Sequence, residues 1–169
     1  MEDYTLRFGN KQEVNNRGGN MAEVKKYPPE AQAKLEKMLE ETKEIRNKLD
    51  NLDNHLLTNT SLTPDIVRDI ARQAVGAGNY LRKKLAVLTA GVKNERANRY
   101  MEIKMECLTE GTKFTDGGAT MESEGYISPL RTSRDVLEAY VTSADNIVSF
   151  SRMYLSSQSL DQSNQVSVN

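Results

Sequence analysis

From residue 31 to residue 56 the positions Ala31, Leu35, Met38, Thr42, Ile45, Leu49, Leu52 and Leu56 are spaced alternately by four and three. Such a repeat advances by half a heptad at each step, which places one narrow stripe along an α-helix and cannot serve a strand of period two. The stripe is narrower than the apolar face of an ordinary globular helix. It needs another helix laid along it, either from the same chain or from a second copy. Between the stripe positions lie Glu36, Glu40, Glu41, Lys43, Glu44 and Lys48, a solvated face.

Helical signals continue through the chain. Pro28 and Pro29 suit a helix entry, with Glu30 complementing the dipole in the first turn. This first helix fades in the polar stretch Thr58-Asn59-Thr60-Ser61. Thr63, Pro64 and Asp65 then form an N-cap, a first-turn proline and a first-turn acid. The stripe Ile66, Ile70, Ala74, Ala77, Leu81, Leu85, Leu88 and Val92 predicts a long second helix, continued more weakly by Tyr100, Ile103 and Cys107. Small residues at Ala71, Ala74, Ala77 and Gly78 would let another helix approach closely. The segment around Asp116-Gly117-Gly118 breaks the pattern, as a turn, a hairpin or a short helix begun by Thr115. Ser128-Pro129 opens a third helix with the face Leu130, Val136, Leu137, Tyr140, Val141, Ala144, Ile147, Val148 and Phe150. The expected fold is all-α: an elongated helical bundle or coiled coil of about three helices, with a short irregular break near 111–127.

The flanks read differently. Residues 1–28 are polar and rich in Asn and Gly, the signature of a disordered leader. Reverse translation of Arg17-Gly18-Gly19-Asn20-Met21 as AGA-GGA-GGT-AAT-ATG spells a bacterial ribosome-binding site before a start codon. On that second reading Met21 is the native start, and the gene comes from a bacterium or its phage. Residues 29–155 form the helical domain, and the Ser/Gln/Asn-rich residues 156–169 a flexible tail.

Composition narrows the function. The 169 residues suffice for one domain and include three Phe and no Trp, so thin stripes rather than a thick interior must supply burial. That also favours a homo-oligomer. One Cys (Cys107) and one His (His55) cannot build an internal disulfide or a zinc site. No apolar run approaches the ~20 residues of a membrane span, and the acidic start Met1-Glu2-Asp3 lacks a secretory signal. A cytoplasmic protein is the expectation. His55 has no nucleophile beside it, and Glu102 with Glu106 has no His to complete a metal site. Neither a phosphate-binding loop nor a dinucleotide fingerprint occurs. No enzyme chemistry and no cofactor follow from the sequence.

Charge is unevenly placed although the net charge is -1. Arg72, Arg82, Lys83, Lys84, Lys93, Arg96 and Arg99 face a single acid, Glu95, within the interval 72–99. Beyond Phe114 the chain is acidic, with Arg131, Arg134 and Arg152 as its bases. The basic band admits two roles. Arg82, Lys83, Lys84, Lys93, Arg96 and Arg99 could follow a phosphate backbone, with Tyr80 or Tyr100 as stacking surfaces. Alternatively, they could meet the acidic third helix of the same or another chain. The seam residues Leu35, Met38, Ile45, Leu49, Leu52 and Leu56 likewise suit either internal packing or self-association.

The layout from Pro64 to Ser156 resembles the phage recombination mediators of the UvsY type. A basic helix ends in the charged stretch Lys93 to Glu110, followed by Gly111 and Lys113-Phe114-Thr115, and then by a helix containing Arg134-Asp135-Val136-Leu137. The resemblance lies in order and charge, and transfers no residue-by-residue signature. It implies a helical oligomer that binds single-stranded DNA and helps load a recombinase. The competing expectation is a coiled-coil adaptor or inhibitor that binds a host protein, such as a defence component.

Overall fold

A computed structural model describes residues 25–166, with side chains to residue 159. The predicted leader up to residue 24, and Met21 within it, lies outside the described residues. Four helices follow in order: α1 (Pro29–Thr58), α2 (Pro64–Glu110), α3 (Asp116–Tyr126) and α4 (Ser128–Val166). No strand occurs among the described residues.

Local chemistry sets most boundaries. Pro29 at the start of α1 lacks the N–H that a first-turn residue would leave unpaired. The Thr63 hydroxyl accepts from the Ile66 N–H at 3.4 Å and caps α2. At the other end Gly111 adopts φ 67° and donates its N–H to the Cys107 carbonyl. That left-handed closure is favoured at glycine. Thr115 caps α3 by accepting from the Gly118 N–H at 3.3 Å.

With 47 residues, α2 is about 70 Å long at ~1.5 Å per residue. The other helices lie along it. Lys25 meets Glu102 and Lys84 meets Glu41, so α1 runs antiparallel to α2. Gly91 abuts Leu130, Gly78 abuts Ala144, and the Tyr154 hydroxyl donates to the Leu62 carbonyl at 2.6 Å. Helix α4 is therefore antiparallel to α2 as well, and parallel to α1. Their shared interior holds Leu49, Leu81, Leu88, Leu137 and Ile147, each almost wholly buried. Where Gly78 crosses α4, a Cβ on the glycine would stand 3.0 Å from Ala144 Cβ.

Three expectations change. There are four helices rather than about three. The expected break at 111–127 holds only for its first residues, because capping by Thr115 starts α3 there. Residues 156–166, expected as part of a flexible tail, continue α4; Ser hydroxyls bonding back to carbonyls, as Ser157 does to Tyr154 and Ser159 to Ser156, are compatible with that helix.

Candidate functional site

The seam of α1 lies inside the chain. Leu35, Leu49, Leu52 and Leu56 are buried, while Met38 and Ile45 are partly buried against the same core. Both α2 and α4 supply its cover, so these six side chains do not form an outward self-association surface. Even Thr42, the polar step of the heptad, is fully enclosed and donates its hydroxyl to the Leu39 carbonyl at 2.9 Å.

The basic band is divided in the same way. Arg82 pairs with Asp145 of α4 and donates to Asn79 Oδ1 at 3.0 Å. Lys84 reaches Glu41 of α1 at 3.2 Å, and Arg96 reaches Glu124 of α3 at 2.8 Å. Arg99 is buried: its guanidinium contacts Glu102 at 3.0 Å, Glu106 at 2.9 Å and Glu122 of α3, with the Tyr126 ring 5.8 Å away. Burial opposes its charge, and the three carboxylates more than offset that opposition, so its pKa is raised. Arg99 therefore cannot grip a ligand without abandoning its own fold. Lys83 and Lys93 are exposed and have no carboxylate partner among the described residues.

Around Arg99 the chain draws in its N-terminal segment. Lys25 donates to Glu102 at 2.8 Å, and Tyr27 packs edge-on against Tyr126 at 5.4 Å. Lys25 and then Arg99 hold the Glu102 carboxyl below its usual range. Burial raises both tyrosines.

One groove gathers uncommitted positive charge. About 630 Å³ in volume, it is lined by Val92, Lys93, Arg96, Ala97, Tyr100 and Met101 of α2, Thr120 of α3, and Arg131 and Arg134 of α4. Glu124 stands between Arg96 and Arg131, and Arg134 donates to its neighbour Asp135 at 2.8 Å. Four cations thus meet two carboxylates, leaving a local positive excess. The Tyr100 hydroxyl donates to Asp116 at 2.6 Å, which raises its pKa, and the ring meets Phe114 edge-on. Lys93 and Arg96 were foreseen as site residues, whereas Arg131 and Arg134 were read only as isolated bases of an acidic half. Their i, i+3 spacing was the available signal that they share a face.

The residues weighed for chemistry lie apart. His55 is exposed near the end of α1, 2.8 Å from the Asn59 amide, and Cys107 is half-buried and free. Among the described residues no group of three His, Cys, Asp or Glu converges to hold a metal, and no helix is long and apolar enough to cross a membrane. No protein-family model matches the chain, and no match was found among curated proteins or solved structures.

Proposed function

We propose that the protein is a non-enzymatic helical accessory protein that binds single-stranded nucleic acid in the groove between α2, α3 and α4, in support of recombination or replication. One observation carries this reading: α4 brings Arg131 and Arg134 to Lys93 and Arg96 beside Tyr100. A cationic channel with an aromatic wall suits a single strand, whose phosphates need positive charge and whose unstacked bases need a flat surface. Arg82, Lys84 and Arg99 leave the proposed site because carboxylates already hold them. The layout shared with phage recombination mediators is a second support. No base-reading motif is present, so sequence preference should be slight.

The test is fluorescence anisotropy of a labelled single-stranded oligonucleotide across a salt series. Wild type should bind, with affinity falling as salt rises. Combining Lys93→Glu with Arg134→Glu should weaken binding and flatten the log–log salt slope by about 1.4, since each single-strand phosphate contact contributes about 0.7. Circular dichroism should show unchanged helicity. Absence of binding by wild type at low salt would overturn the reading.

A further inference from the structure

We infer that the outward face of α2 is a docking surface for an acidic amphipathic helix of another protein. Its exposed apolar residues include Val87, Ala90, Ala97, Met101 and Leu108. They repeat the three-and-four spacing of a heptad, with Asn94 filling the polar step between Ala90 and Ala97. Met105 lies beside the stripe and is also exposed. The face spans about 30 Å at ~1.5 Å per residue, roughly the length of a three-heptad helix. Helices α1 and α4 cover the opposite side of α2, where Leu81, Leu88, Val92 and Ile103 are buried. An apolar stripe on that scale, left open on one helix of a packed bundle, is the surface a coiled-coil partner uses.

Charge selects the occupant. Lys83, Lys93 and Lys104 flank the stripe, all exposed and without a carboxylate partner among the described residues. By contrast, the cations turned toward α1, α3 or α4 (Arg82, Lys84, Arg96 and Arg99) are all paired. The α2 carboxylates Glu102 and Glu106 turn toward Arg99. A second copy would bring the same lysines to the interface with no acids of its own stripe to meet them. A partner with Glu at its edge positions would meet all three, and the small side chains of Ala90 and Ala97 permit close approach. Nucleic acid would use the lysines but leave Val87, Met101 and Leu108 without apolar contacts. This surface adjoins the groove at Lys93, yet the inference does not depend on nucleic-acid binding.

The probe is a synthetic three-heptad peptide with Leu and Ile on its seam and Glu at the flanking positions, labelled at one end. Binding to the full chain is read by anisotropy, and the mass of the free chain by light scattering. Wild type should bind the acidic peptide and not a version with Lys at the flanking positions. Combining Met101→Glu with Leu108→Glu should lower affinity at least tenfold with helicity and melting unchanged. A second variant, Lys83→Glu with Lys104→Glu, should lose the acidic peptide and gain the basic one, which separates charge recognition from any fold defect. No binding of the acidic peptide overturns the inference. So does a wild-type dimer that the Met101/Leu108 variant dissolves, because a second copy would then own the face. Loss of single-stranded DNA binding in that variant, with peptide binding intact, overturns it as well.

Discussion

Arg99 concentrates more of the architecture than any other single side chain. It lies on the buried face of α2, seven residues after Val92 and four before Ile103, in phase with the apolar stripe. That phase was the legible signal that this cation points inward. The charge run around it suggested a phosphate contact instead, because a linear count of bases does not weigh their faces. Replacing Arg99 with Met should cost about 2–4 kcal/mol, since Glu102, Glu106 and Glu122 would then crowd together without their cation. Arg99→Lys should recover only part of this, because a single ammonium cannot reproduce the guanidinium's divided geometry. Urea denaturation of the three proteins checks both statements; equal stability of Arg99→Met and wild type would remove the structural role.

At the scale of the element, α2 holds two glycines with opposite requirements. Gly76 is exposed and a Cβ there would meet nothing within 4 Å. Gly76→Ala should therefore stabilise the protein by about 0.5–1 kcal/mol through backbone entropy alone. Gly78 sits against Ala144, so Gly78→Leu should push α4 away and cost about 1–3 kcal/mol as overpacking does. Melting temperatures moving in opposite directions would verify the pair. The sequence showed the small-residue patch at Ala74, Ala77 and Gly78 but not which helix would approach it. Likewise, the α1 heptad was legible as a seam, while its partner was not, because spacing defines a face and never the chain that covers it. Helix α3 was the hardest element to read: Gly117 and Gly118 signal a turn, yet Gly118 is wanted because a Cβ there would come within 2.8 Å of the capping Thr115 hydroxyl oxygen.

For the molecule as a whole, the ends of the described chain are tied to the far tip of α2 by ionisable groups. The folded pKa of Glu102 lies below its usual 4.5, so its contribution is complete above that value and is lost as pH falls through the lowered one. Lys25 is raised above 10.5, and its contribution persists below that value and disappears as pH climbs beyond the raised one. The tie should thus be indifferent to pH between these limits. In a melting series from acid to neutral pH, Glu102→Gln should be less stable than wild type at neutrality, with the gap narrowing as the solution is acidified. A gap independent of pH would show that the carboxylate charge is irrelevant. The all-helical class was open to sequence reading, because three periodic stretches had clear caps. The groove was not, since it joins Lys93 and Arg96 to Arg131 and Arg134 across an intervening helix.

The parallel placement of α1 and α4 has a further consequence during synthesis. A ribosome releases α1 first, with Leu35, Leu49, Leu52 and Leu56 exposed along one edge. Helix α2 can fold back on it by a short connection, but α4 begins only at Ser128, roughly 70 residues after α1 ends. At about 5–20 residues per second that delay is ~4–14 s. Throughout it the nascent hairpin presents an oily trough, which makes the growing chain, rather than the finished protein, the species most in need of a chaperone.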